Sequence, residues 1–153
     1  MNNQTPNPLL IIRLVIPLLM LSGITGCSAD SGNVDENKPK IAYHSIYKND
    51  TASLKLRLGE KAFDGQLEIN YNGLYKDSGD VNGIIKGDTL KGTYYFQHYG
   101  IDKWERIPIS LLKKEGKLIM GVGAMEIYMN MTFFKKTEPI DYKKVKFTFE
   151  KTN

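Results

Sequence analysis

Residues 63–99, FDGQLEINYNGLYKDSGDVNGIIKGDTLKGTYYFQHY, constrain the fold more than any other stretch. Leu67, Ile69 and Tyr71 alternate with Gln66, Glu68 and Asn70, and Leu90, Tyr94 and Phe96 alternate with Lys91, Thr93, Tyr95 and Gln97. A period of two places one set on a dry face and the other on a wet face, so the segment reads as consecutive antiparallel strands. Gly73, Gly79, Gly83, Gly87 and Gly92 punctuate it. Gly87-Asp88 between two such runs is a tight-hairpin signal, because both residues tolerate a positive φ.

The same grammar continues on both sides. Strands are expected at residues 41–47, 51–58, 62–71, 81–86, 89–98, 103–113, 118–122, 127–134 and 145–149, with residues 72–80 as a loop. In residues 51–58, Ala52, Leu54, Leu56 and Leu58 oppose Ser53, Lys55 and Arg57. In residues 127–134, Ile127, Met129, Met131 and Phe133 share one face. Pro108 lacks an N–H and must sit at an edge or a ladder gap. No window carries a capped 3.6-residue period, so little or no helix is expected. About eight to nine short strands with short turns predict an all-β fold: a single antiparallel up-and-down meander closed into a lipocalin-like barrel. An open half-barrel and a β-sandwich are the alternatives.

The first 26 residues belong to a different class of segment. Residues 9–21, LLIIRLVIPLLML, are apolar apart from Arg13 and Pro17. The uninterrupted run after Arg13 is shorter than the ~20 residues a spanning helix needs, and it fits the apolar region of a secretory signal. Ile24-Thr25-Gly26-Cys27 resembles the lipobox of bacterial lipoproteins, although residues 1–8 carry no Lys or Arg. The resemblance implies cleavage before Cys27 and lipid attachment at Cys27. Cys27 is also the single Cys, so an internal disulfide is excluded. The expected organisation is a lipoprotein signal peptide at 1–26, a polar flexible tether at 27–39 and a β-barrel domain at 40–153. Removing the leader takes Lys+Arg from 21 to 20 against 17 Asp+Glu. The charges are interspersed, which implies no nucleic-acid partner.

Residues 83–94, GIIKGDTLKGTY, are similar to a hairpin pattern of small lipoproteins of Bacteroidota, with Gly65-Gln66-Leu67 before it and Leu118-Ile119-Met120-Gly121-Val122-Gly123 after it. The resemblance covers roughly residues 54–123. It implies a lipocalin-like β-meander and no particular chemistry. It places the protein in the bacterial cell envelope, lipid-anchored at the outer membrane. Asp30, Asp35 and Glu36 resemble the acidic segment that follows the Cys in surface-exported members. Asp50-Thr51-Ala52 and Asp88-Thr89-Leu90 resemble a short O-glycosylation acceptor, with Thr51 and Thr89 as the modified residues; Asp-Thr simply starting a strand is the plainer reading.

Catalytic and metal patterns are not found. His44 and His98 are far apart and lack metal-ligand spacing, so no metal or other cofactor is expected. No nucleophile elbow or phosphate loop is present. A non-enzymatic protein is the expectation, the alternative being a hydrolase with a carboxylate pair assembled across the fold. Aromatic density is the remaining signal: Tyr94, Phe96, His98, Tyr99 and Trp104 flank one loop and form a candidate ligand rim, since an apolar face with a polar tip suits small-ligand sites. Gly65, Gly83 and Gly92 have inward parity and would leave interior room for a ligand. The bulk of the other inward residues predicts a mostly filled barrel with a shallow pocket beside the Tyr99–Trp104 loop. Two functions follow: a binding module for a small apolar or amphipathic ligand, or a filled barrel whose surface meets an envelope protein.

Overall fold

The computed structural model describes residues 34–152. The expected leader, the expected lipid attachment at Cys27 and the first part of the expected tether lie outside the described residues. Among the described residues there are ten strands: β1 (Ile41–Tyr47), β2 (Asp50–Leu58), β3 (Ala62–Tyr71), β4 (Tyr75–Lys86), β5 (Thr89–His98), β6 (Trp104–Lys114), β7 (Lys117–Met120), β8 (Met125–Tyr128), β9 (Met131–Phe134) and β10 (Thr148–Lys151). Eight of them close a barrel in the order β1-β10-β7-β6-β5-β4-β3-β2. Every pair is antiparallel. The expected all-β, up-and-down barrel is therefore the fold, and the β1–β10 pairing that closes it removes the half-barrel and the sandwich.

The alternation is what fills the interior. Leu54, Leu56, Leu67, Leu90, Leu111, Tyr94 and Phe149 are almost completely buried. Burial of each contributes about 1.5–3 kcal/mol relative to exposure. One inward layer runs Ile41, Leu56, Gly65, Val81, Tyr94, Ile107 across six strands. Four glycines make the tight strand crossings around this core. A Cβ at Gly65, Gly79, Gly83 or Gly92 would lie 1.9–2.2 Å from a carbonyl oxygen of the neighbouring strand. Only glycine allows backbones to approach that closely, as at the corners of small barrels. The expectation that Gly65, Gly83 and Gly92 leave ligand space is therefore corrected: neighbouring backbone occupies it.

Three expected elements differ from the structure. The loop expected at 72–80 shrinks to residues 72–74, with positive φ at Asn72 and Gly73. Residues 75–80 pair with β3, and residues 77–80 also with β5; that two-sided pairing overrides the poor strand propensity of Asp77, Gly79 and Asp80. The single strand expected at 127–134 is a hairpin, β8 and β9, turning at Met129-Asn130, both with positive φ. It stands outside the barrel order, so Ile127, Met129, Met131 and Phe133 are exposed instead of inward. The last strand begins later, at Thr148, although Phe147 and Phe149 are buried as expected.

Pro108 falls where its chemistry requires. The Ser110 carbonyl accepts from Gly121 N–H on the β7 side, so Pro108, of the same parity, also faces that side. The β6–β7 ladder starts only at Leu111, and no ladder bond is lost. The segment between β9 and β10 packs outside this region. Ser110 and Tyr142 share a 2.6 Å hydrogen bond, and a Cβ at Gly121 would strike the Ile140 and Tyr142 side chains. At the other side, residues 34–39, expected as tether, are fastened to β2. Lys38 Nζ donates to the Leu58 carbonyl at 2.9 Å, and Arg57 donates to the Glu36 carbonyl.

Candidate functional site

One end of the barrel interior is not filled. A cavity of about 230 Å³ lies between Ile69, Tyr94, Ile107, Met120 and Phe147, with Tyr71, Asp77 and Lys146 around its mouth. Its position follows from the strand lengths. β7 stops at Met120 while β6 continues past it towards Trp104, so the wall thins on that side.

The floor is rigid. Tyr94 stacks on Phe96 with ring centroids 4.6 Å apart, and its hydroxyl donates to the Leu67 carbonyl at 3.1 Å. The mouth is polar. Asp77, almost buried on β4, accepts a hydrogen bond from the Tyr71 hydroxyl at 2.9 Å and pairs with His98 Nδ1. Two partners are what make a carboxylate tolerable there. Lys146 Nζ sits 4.8 Å from the Tyr71 ring centroid and forms a 2.6 Å ion pair with Asp50. Burial pushes the phenols of Tyr71 and Tyr94 well above the ordinary tyrosine range, and the Asp77 hydrogen bond adds to this at Tyr71. Both are neutral donors at physiological pH.

The hydroxyl that joins the pair, that of Tyr71, bonds the carboxylate and not the imidazole. The order nucleophile, imidazole, carboxylate of an acyl-transfer relay is thus not formed. What the geometry offers is an apolar slot with a donor and acceptor collar. Among the described residues no group of three His, Cys, Asp or Glu side chains is placed to hold a metal ion.

The five aromatic and His residues expected to form one rim are divided. Tyr94 lines the cavity, and Phe96 stacks on the Tyr94 ring without lining it. His98, half-buried at the end of β5, holds Asp77 and packs 5.4 Å from the Tyr75 ring. Tyr99 and Trp104 stand outside the barrel, beside a separate groove of about 920 Å³ on the outer face of β2–β5. The expected shallow pocket near that loop is therefore external, and the interior pocket lies elsewhere. Asp77 and Lys146 were not visible as site residues: Asp77 sits in a stretch without alternation, and Lys146 reads only as the wet neighbour of Phe147. Thr51 is exposed at the start of β2, whereas Thr89 is half-buried at the start of β5. His44 is exposed on the outer face of β1, opposite Glu150. Cys27 lies outside the described residues.

No family model, curated protein or solved structure matches this chain.

Proposed function

We propose that the protein is a lipid-anchored component of the bacterial cell envelope, held at the outer membrane through Cys27, whose barrel binds a small amphipathic ligand at the Tyr71–Lys146 end. The observation that carries the binding reading is the cavity of about 230 Å³, lined mostly by apolar groups with Tyr71, Asp77 and Lys146 among them. That volume is below the ~300–1,000 Å³ usual for drug-sized ligands. It suits a short acyl end or a single ring, with the polar part left among Tyr71, Asp77 and Lys146. A fluorescent apolar dye such as ANS should bind the native protein saturably. Ile107→Trp, which fills the slot from its wall, should abolish that binding while leaving the melting transition cooperative. Absence of saturable binding to the native protein would refute the proposal.

Anchoring has its own test. Cys27→Ala should move the protein from the membrane fraction to the soluble fraction, because stable anchoring requires the attached acyl chains. Membrane association that survives carbonate washing in this variant would overturn it.

A second reading, interaction with an envelope protein, is favoured by the β8–β9 hairpin. Ile127 and Met129 are 77% and 75% exposed there, and Tyr128 and Phe133 are exposed beside them. Tyr128, Met131 and Phe133 share one face of this hairpin, and exposed apolar side chains grouped in this way mark interaction sites. A photo-crosslinker placed at position 128 in the native envelope would give a discrete protein adduct on this reading, and none on the other.

A further inference from the structure

The outer face of β2–β5 carries a second feature, independent of the interior cavity. Strand register lines its outward side chains into two parallel rows. One row runs Ser53, Glu68, Ser78, Gln97, Trp104; the other runs Lys55, Gln66, Asp80, Tyr95, Arg106. Each row is polar along its length and reaches an aromatic ring at the β5–β6 side. The two rings stack, with the Trp104 and Tyr95 centroids 4.8 Å apart and the planes 20° from parallel. The Arg106 guanidinium lies 5.3 Å from the Tyr95 centroid and props the stack from beyond. The loop from Tyr99 to Asp102 walls the groove, tied back by Gln97 Nε2 donating to Asp102 Oδ1 at 3.4 Å.

The chemistry of these rows selects a ligand class. Lys76 is paired with Glu68 at 3.1 Å, and Lys55 shares its row with Asp80, so the floor is near neutral. A polyanion such as nucleic acid requires a surplus of cations, which is not present. An apolar ligand would leave the amides, hydroxyls and carboxylates unpaired. A chain of pyranose rings satisfies both elements: its hydroxyls take the donors and acceptors of Gln66, Ser78 and Gln97, and its C–H face covers the free face of Trp104. Neighbouring strands are ~4.8 Å apart, close to the repeat of an extended sugar chain, so successive units meet successive strands. The groove of about 920 Å³ has room for several units, which the interior cavity does not.

We propose that this outer groove binds a neutral sugar chain, with the Trp104–Tyr95 stack as its platform and Gln66, Ser78 and Gln97 as its hydrogen-bonding floor. Trp104 is the only Trp in the chain, so its fluorescence reports on the groove directly. The full-length protein would be titrated with cellohexaose, mannohexaose, xylohexaose and chitohexaose. At least one should shift Trp104 emission saturably, and the matching monosaccharide should bind about tenfold more weakly or worse, because it loses the floor contacts along the row. By calorimetry, Gln97→Ala and Trp104→Ala should each weaken that binding about tenfold or more. Ser78→Arg, an exposed substitution in the middle of the row, should block it with an unchanged melting temperature, which covers the case in which Trp104→Ala folds poorly. Tyr71→Phe, inside the barrel, should leave it intact. A flat titration with all four chains, or binding unaffected by Ser78→Arg, would overturn the proposal.

Discussion

Gly92→Ala is expected to destabilise the barrel by about 3 kcal/mol or more, a large share of the ~5–15 kcal/mol that holds a domain together. The added Cβ would lie 1.9 Å from the Asn82 carbonyl oxygen, 2.7 Å from its carbon and 2.8 Å from Gly83 Cα. All three are backbone atoms, so no rotamer change relieves the overlap. Gly92 and Gly83 are register partners, and strands β4 and β5 must separate there for either to carry a side chain. Gly87→Ala is the comparison. Nothing lies within 4 Å of its Cβ position, but φ is +56°, so only the left-handed backbone opposes the change, at about 1 kcal/mol. Thermal melts of the two variants should differ by several degrees or more, Gly92→Ala being lower. Equal melting temperatures would show that the crossing does not need glycine.

These glycines mark the boundary of what periodicity can reveal. Leu54, Leu56, Leu67, Ile69 and Leu90 are inward by alternation alone and are buried, because a two-residue period is a local property of the chain. Whether an inward glycine faces empty space or another backbone depends on how strands cross, and that is not local. The hairpin β8–β9 was misread for a related reason. In the sequence Ile127, Met129, Met131 and Phe133 alternate without a break, but the two-residue turn inverts the parity, since Ile127 pairs with Thr132 and Tyr128 with Met131; only Asn130 hints at the positive φ that turns the chain. The candidate site was the least legible part. Asp77 meets His98 across a strand pair, 21 residues away. Lys146 finds Asp50 where β2 begins, on the far side of the barrel closure. Tyr94 and Trp104 line separate cavities on opposite faces of the sheet, which the clustering of aromatics in sequence concealed.

Leu56→Lys is expected to cost about 3–5 kcal/mol, and Phe149→Lys about the same. Both native side chains are fully buried, and Leu56 sits in the middle layer of the barrel between Ile41 and Gly65. From there a lysine must either leave its ammonium without water or give up its proton. Lys55→Ser, one position along and exposed, should change stability by less than ~0.5 kcal/mol. The pH dependence separates loss of packing from burial of charge. In the folded variant the buried lysine has a lowered pKa, while in the unfolded chain it titrates near 10.4. Below that pH the unfolded state binds the extra proton and folding must expel it. As pH rises towards about 10.4 the unfolded lysine also becomes neutral, and the deficit relative to the wild-type protein should shrink. The comparison is made with the wild type at each pH because Tyr43, Tyr71 and Tyr94, whose pKa values burial raises, weaken the native fold above about pH 10 in both proteins. Chemical denaturation at pH 7 and pH 10 measures it. A deficit that stays constant between the two would assign the loss to packing alone, and equal losses for Leu56→Lys and Lys55→Ser would refute the inward assignment of β2.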